Sequence, residues 1–561
     1  MAYWAIIQAF WVLSTGLIEG AASCNSPVVA WARSGATWGQ FAQRVVSDPL
    51  GGVYVVGGFY GALDFDPTNG VDMHASHGDQ DLYVTKLDSS GSYVWTRTVG
   101  TTENESGNGV AVDDDGNVFV VGGFNSQIDF DPTKGVDERI PIDDPATADK
   151  DYNSFVSLLR SDGTYGWTIT FGGGNGESFA YAVARDAGGA LLIGGLFHGE
   201  VDFDPGSGVD LRASNSGSFD GYVTKLAENG NYVWTKTIGG TGFDRLTDVK
   251  VDSNRAVYLT GTFRGTVDFD PGPGVDLHTR QGDVEDVFVT KLYADGSYGW
   301  TRTWPLRYPG GIGRIAVDAD GDVIFSSGFS GAVDFDPSPG TDLRTSTASQ
   351  ASGFVTKINA DGSYGWTRIF DSSYASGGTD VAVDRDRNIV VAGYFIGTTD
   401  FDPGPREDLR TSTLLNAQNG FVTMLTASGD YLWTFTFDDE DAVGRAIATA
   451  FDSEGAVLVA GTYATDYGGA LDFDPGCAVN ESERDADGDF ILRLVCVTPR
   501  PDVDGDGDAD LHDLAQFQNC FSGGAPYGNG CQTFDFDSDG DVDLTDYSQV
   551  QMLICGSIHR R

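Results

Sequence analysis

Several kinds of residue are scarce in this sequence. Among 561 residues there are only 6 Cys, 6 His and 4 Met. No cysteine lies between Cys24 and Cys477 and no Cys-x-x-Cys pair occurs, which excludes a zinc ribbon or a dithiol redox site as the organising element. Basic residues are few: 34 Lys and Arg stand against 82 Asp and Glu, for a formal charge of −48. A chain so acidic repels nucleic acid and anionic lipid. Beyond the N-terminus no stretch approaches the roughly 20 apolar residues that span a bilayer. Also missing are a Gly-x-Ser-x-Gly elbow, a His-Glu-x-x-His helix, a P-loop and a dinucleotide fingerprint. His74 and His77 share one loop without a third ligand, and His198, His278, His512 and His559 stand alone.

What the chain does have is repetition. Short runs of Val, Tyr, Phe, Trp and Thr alternate with Gly and Asp clusters, the pattern of an all-β protein. The tetrapeptide Asp-Phe-Asp-Pro occurs seven times, with first residues Asp64, Asp129, Asp202, Asp268, Asp334, Asp400 and Asp472. Successive copies are 65, 73, 66, 66, 66 and 72 residues apart, the signature of one supersecondary unit per copy. A unit read from Gly109 to Thr170 contains four expected strands: 109–113, 118–124, 155–159 and 165–170. The Asp-Gly turns between them, at Asp115-Gly116 and Asp162-Gly163, are hairpin signals. Four antiparallel strands per unit predict a propeller blade.

An independent marker, a fourth-strand Trp, appears at Trp95, Trp167, Trp234, Trp300, Trp366 and Trp433. The seventh stands at the other end of the chain, in Val28-Val29-Ala30-Trp31-Ala32-Arg33. The expected fold is therefore a seven-bladed β-propeller over 24–498 whose last blade is completed by the N-terminal strand. Closure of this kind removes the free sheet edges. It also brings Cys24 towards Cys496, with Cys477–Cys496 the rival pairing. On its repeated motifs (Phe354-Val355-Thr356-Lys357 leading to Trp366, and Val112-Asp113 followed by Gly116-Asn117-Val118), the region 28–496 resembles the bacterial seven-bladed β-propeller repeat family. The resemblance implies the fold and leaves the ligand open.

The Asp-Phe-Asp-Pro motif extends to Asp-Phe-Asp-Pro-x-x-Gly-x-Asp, with third aspartates Asp72, Asp137, Asp210, Asp276 and Asp342; Arg406 replaces the Gly in the sixth copy, which keeps Asp408. In an extended segment the Phe points into the blade and the two carboxylates away from it. Two roles stay open for those carboxylates, shaping a turn through backbone N–H groups or holding a weak calcium ion. The step after each second strand varies more than its surroundings: Tyr60, Asn125, His198, Arg264, Ser330 and Ile396. These form a candidate rim for a glycan or peptide. The recurring Trp residues are expected in the packing between blades.

Past the stiff Pro499-Arg500-Pro501 linker, carboxylates fall at steps 1, 3, 5, 7, 9 and 12 of two loops. The first is Asp502, Asp504, Asp506, Asp508, Asp510 and Asp513; the second is Asp535, Asp537, Asp539, Asp541, Asp543 and Asp546. Gly507 and Gly540 occupy step 6. This is the ligand spacing of an EF-hand-type calcium loop, with Asp in place of the usual Glu at step 12. Six carboxylates in twelve residues repel one another unless a cation offsets them. Each loop leads into an expected short helix, 514–521 and 547–554. The duplicated loop and helix over 499–561 resemble a type I dockerin. That resemblance implies two bound Ca2+ ions and a cohesin-like or cell-surface protein partner, met at Leu511, His512, Leu544 and Thr545. Cys520 and Cys531 are expected to pair.

Residues 1–23 read as a signal peptide, with an apolar run and a small-residue site at Gly20-Ala21-Ala22-Ser23, so the protein is expected to be secreted or held at the cell surface. Lipid attachment at Cys24 is the alternative fate of that residue. The expected function is a non-enzymatic binding or structural role, tethered through the tail. The alternative is a polysaccharide-active enzyme on the propeller, since glycoside hydrolysis needs only two suitably placed carboxyls.

Overall fold

The computed structural model describes residues 27–34, 40–66, 70–142, 151–173, 175–282, 284–306, 313–412, 418–437, 443–464, 488–496 and Val542. The signal peptide, the seventh Asp-Phe-Asp-Pro copy, both calcium loops with their helices, and the side chains of all six cysteines lie outside the described residues.

The apolar runs form strands for a reason visible in their burial. The second strands are almost wholly buried, and Val53–Phe59, Val118–Phe124 and Val257–Phe263 are buried at every residue. An alternating strand would leave one face wet, whereas here a neighbouring blade covers each face. Blade 1 is ordered Gln40–Ser47, Val53–Phe59, Asp81–Leu87, Tyr93–Val99 from the centre outwards, and blades 2 to 6 repeat it. Blade 7 consists of Val443–Phe451, Val457–Ala464, Gly488–Cys496 and, as its outer strand, Pro27–Ser34. The N-terminal strand thus closes the ring, antiparallel, with Pro27 opposite Cys496 and Ser34 opposite Phe490.

The core is divided into layers between blades. Seven apolar clusters fill the seven interfaces; one, for instance, joins Tyr54, Val84 and Trp95 of blade 1 to Val110, Val120 and Phe130 of blade 2. The closing seam is built the same way, with Trp31 and Leu458 of blade 7 against Val45, Val55 and Phe59 of blade 1.

Trp and Arg of four outer strands stitch their seams. Trp31, Trp95, Trp300 and Trp366 donate Nε1–H to the next blade's turn carbonyls at Ser89, Ser161, Ala360 and Ala427, 3.1–3.3 Å away. Arg33, Arg97, Arg302 and Arg368 donate Nε–H to Gly91, Gly163, Gly362 and Gly429 and lie over the same Trp rings, 5.2–5.8 Å from the ring centres. Those glycines have positive φ, and a Cβ on Gly91 would stand 2.6 Å from the Trp31 ring. The tryptophans are therefore packing groups, as their regular spacing predicted.

The segment after the second strand, read from sequence as a loop, holds a two-stranded hairpin in each of blades 1 to 6, such as Thr266–Asp268 with Leu277–Thr279. That hairpin also pairs with blade 3's outer strand, Gly239 opposite Asp268 and Gly240 opposite Val267, so it clips one blade to its predecessor. Among the described residues the single helical element is the 3-10 turn Asn215–Gly217, and no helix is long and apolar enough to cross a membrane.

Candidate functional site

Repeated carboxylates could be catalytic, metal-binding or architectural, and their partners decide which. In the six described Asp-Phe-Asp-Pro copies the Phe is buried in its blade. Oδ1 of the first Asp accepts two backbone N–H groups, those of the second and third aspartates, at 2.8–3.1 Å: Asp268, for example, from Asp270 and Asp276. The second Asp presses Oδ2 against the motif Gly, where a Cβ on Gly274 would lie 2.1 Å from Asp270. The third Asp accepts a short hydrogen bond from the first Tyr of the outer strand: Tyr93 to Asp72, Tyr165 to Asp137, Tyr232 to Asp210, Tyr298 to Asp276, Tyr364 to Asp342 and Tyr431 to Asp408. Burial first, then the neighbouring carboxylate, raises all six phenols above their ordinary pKa.

A basic side chain completes each of these sites. It is His74, Arg139, Arg212, His278, Arg344 or Arg410, 2.8–3.2 Å from the third Asp. His74 and His278 therefore take a structural arginine's place. His77 bonds a different carboxylate, Asp81, at 2.9 Å, so the two loop histidines do not converge. Of the two roles left open for the motif, the turn-shaping one is what these bonds perform.

The turn between first and second strands shows the same economy with more variety. Its Asp (Asp48, Asp113, Asp186, Asp252, Asp318, Asp384 or Asp452) uses Oδ1 for the N–H groups of its own turn. Oδ2 is always met by a donor, but the donor changes. It is Lys225 in blade 3 and Lys357 in blade 5, at 2.8 and 3.0 Å, and Arg493 in blade 7 at 2.7 Å. In blades 1 and 4 it is a tyrosine hydroxyl, Tyr54 or Tyr258, with Lys86 or Lys291 over the ring at 4.9 Å. In blades 2 and 6 the third-strand Lys is replaced by Leu158 or Met424, and the turn supplies Asn117 or Asn388 instead, each 2.8 Å from Oδ2. Among the described residues Asp318, Asp320 and Asp322 form the only three-carboxylate cluster of metal-site size. Lys357 already fills it, 3.0 Å from Asp318 and 2.8 Å from Asp322.

Four buried carboxyls are perturbed far enough to titrate near neutrality. Burial pushes Asp220 up to about 7, with Asp244 adding to it, and Asp489 up to about 8. Burial likewise carries Asp244 and Asp380 up to about 6. Oδ1 of Asp220 and of Asp489 has no hydrogen-bond partner. Such shifts mark candidate functional groups, but Asp220, Asp244 and Asp489 are 1%, 1% and 4% exposed and open onto no cleft among the described residues.

The expected rim residues each have their own local setting. Tyr60 bonds Gln80, His198 meets the carbonyl of Gly217, Arg264 pairs with Glu285, and Ile396 is buried. The twelve expected calcium ligands, from Asp502 to Asp546, lie outside the described residues.

The site that sequence reading missed is the central channel. Six innermost strands carry a bulge at one level, and the residues after it, with Arg314 at the same step of blade 5, form one ring of positions: Arg44, Gly109, Ala182, Asp248, Arg314, Asp380 and Ala448 from blades 1 to 7. Six of these line a cavity of about 310 Å³, together with Lys250 and apolar side chains. Asp248 accepts Ile315 N–H of the next blade at 3.2 Å and Lys250 at 3.0 Å; Asp380 accepts Thr449 N–H at 2.9 Å. The signal was present in the sequence as the 66-residue steps from Asp248 to Arg314 to Asp380, a charge recurring where other units carry Gly or Ala.

No family model matches the chain. It is 21% identical over 494 residues to an uncharacterized WD repeat-containing protein, L264, of Acanthamoeba polyphaga mimivirus, covering 75% of the chain and 35% of that protein. It is 27% identical over 219 residues to the regulatory protein FlaEY of Caulobacter vibrioides, covering 38% of the chain and 21% of that relative. The chain thus spans about a third or less of the length of these curated relatives. Similar solved structures include the Neurospora crassa Pan2 WD40 domain (8% identity, TM-score 0.38, covering 81% of this chain and 89% of that one) and the RRP9 WD40 repeats (10%, 0.39, 84% and 100%). The chain's own sheets make it an all-β, seven-bladed propeller of four-stranded blades.

Proposed function

We propose that this protein is a binding scaffold, its propeller presenting interaction surfaces and its tail tethering it to a partner. One observation carries the reading. The repeated carboxylates make the same structural bonds blade after blade, so repetition serves architecture, while departures from the repeat gather at the channel and in loops. Propellers of WD-repeat type are typically protein-interaction scaffolds.

The finer parts of the proposal rest on sequence spacing. Residues 499–561 form a dockerin-like module holding two Ca2+ ions on Asp502–Asp513 and Asp535–Asp546, and it docks a cohesin-like or cell-surface protein. The acidic composition and the apolar residues 1–23 support export to the cell exterior. Calcium titrated calorimetrically into the full chain should bind at two sites, one lost in Asp502→Ala and the other in Asp535→Ala. Absence of heat, or heat unchanged by both substitutions, refutes the calcium-dependent tether. The polysaccharide-active alternative predicts reducing-sugar release that fails when one blade's carboxyl is removed.

A further inference from the structure

We infer that the central channel is a binding site for a small organic anion, its charged head held between the guanidinium groups of Arg44 and Arg314. The inference goes beyond the scaffold reading and does not depend on the tail.

Three observations converge. First, Arg44 and Arg314 come from blades 1 and 5, on well-separated walls of one cavity of about 310 Å³. That is the small end of the range for ligand pockets, suited to an anion of about ten non-hydrogen atoms.

Second, these two cations lack the carboxylate partner that several other partly buried cations have. Lys225, Lys357 and Arg493 each meet a carboxylate within 3.0 Å, and Lys250 is bound by both oxygens of Asp248. Arg44 donates to the carbonyl of Gln43 at 2.7 Å, and Arg314 to that of Thr247 at 3.4 Å. Neither has a carboxylate within ion-pair distance among the described residues. Arg44 is half-buried in the channel wall, and burial pushes its pKa down against the pull of Asp380 and Asp248. An unpaired charge in such a place is unfavourable until a counter-ion arrives.

Third, the charge balance has the right sign. With Lys250 and Asp248 cancelling, two guanidiniums face one carboxylate, Asp380, whose oxygens already accept the N–H groups of Val381 and Thr449. The chain's exterior is strongly acidic, but carboxylates beyond about 8 Å are screened at physiological salt, so the channel's own cations dominate inside it. The remaining lining is mostly Val and Ala with Phe451, which favours an apolar body over a bare oxyanion.

Asp380 makes the site sensitive to pH. The charged groups facing it are Arg44, Lys250 and Asp248, with Arg314 on the same cavity. Protonation of Asp380 removes one of the two negative charges lining the cavity, so affinity rises as pH falls through about 6.

The test uses the full chain, with benzoate as probe, benzylammonium as its cationic counterpart and inorganic phosphate as the bare oxyanion, titrated calorimetrically at constant ionic strength. Benzoate should bind at pH 5 and about tenfold more weakly at pH 8, and benzylammonium should not bind. Arg44→Gln and Arg314→Gln should each lower benzoate affinity at least about tenfold, and Arg44→Lys should restore part of it. Asp380→Asn keeps a carbonyl acceptor for Thr449 and should bind at pH 8 as tightly as the parent does at pH 5. Should Arg44→Gln fail to fold by circular dichroism, Arg314→Gln and Asp380→Asn decide the matter. No heat from benzoate, phosphate binding in its place, or affinity unchanged by the arginine and Asp380 substitutions overturns the inference.

Discussion

Replacing Lys225 with methionine should destabilise blade 3, and adding Ala190→Asn should restore much of the loss. Asp186 is 3% exposed, its Oδ1 taken by the N–H groups of Gly188 and Ala190 and its Oδ2 by Lys225 at 2.8 Å. Burial pushes this carboxyl up, but Lys225 and the two N–H bonds outweigh it and hold it below its ordinary pKa. Lys225→Met strands a buried carboxylate oxygen, at about 3–5 kcal/mol for a broken buried pair. Blades 2 and 6 carry Leu158 and Met424 at this step and are served by Asn117 and Asn388 from the turn. Ala190 occupies the equivalent turn position, four residues after its Asp, with the same N–H bond to Oδ1. An asparagine there should return a hydrogen bond to a charged acceptor, about 1.5–3 kcal/mol. Urea unfolding of the full chain, followed by tryptophan fluorescence, gives the four corners of the cycle. A coupling energy of at least about 1.5 kcal/mol is expected. Additivity within about 0.5 kcal/mol would refute the argument that the asparagine substitutes for the lysine.

Stability should peak on the acid side of neutrality. Asp220, Asp244, Asp380 and Asp489 have folded pKa values raised to between about 6 and about 8, so between pH 5 and 8 the folded state holds more protons than the unfolded one and stability falls as pH rises. Asp186 is lowered, so its contribution is lost instead as pH drops below the ordinary carboxylate range. A higher urea midpoint at pH 5 than at pH 8, with the difference reduced in Asp220→Asn, is the expected result. Arg255 and Arg387 hold positive φ (64° and 67°) at a turn step where five blades have Gly; Arg255→Gly should stabilise by up to about 1 kcal/mol, read as a raised melting temperature. Tyr298→Phe leaves Asp276 with His278 and without its hydroxyl donor, and should cost about 1–3 kcal/mol by urea unfolding.

The number of blades, the strand order within each and the closure by the N-terminal strand were all legible in the sequence. The reason is that every blade solves one packing problem with one pattern: an apolar second strand, an Asp-turn and an outer-strand Trp. Seven repetitions of the same local rule leave little room for another fold, and Trp31 betrayed the displaced strand because its seam needs what the other seams need. The motif's burial of Phe and use of its aspartates in a turn could also be read from alternation along an extended segment.

Other features depended on which residues the ring brings together. The donor to the turn Asp lies 39 to 41 residues away in three blades, six residues away in two and four residues away in the other two, so the exchange of Lys for Asn has no meaning until both are seen at one oxygen. The hairpin's clip onto the preceding blade is a contact between units, invisible in any single unit. The channel is the clearest case. Arg44, Asp248, Arg314 and Asp380 are far apart in the chain, and only the ring closure sets them at one level around one cavity. Sequence determined the repeated unit because its rules are local; the tertiary structure decided the chemistry of the channel because that chemistry exists only where the units meet.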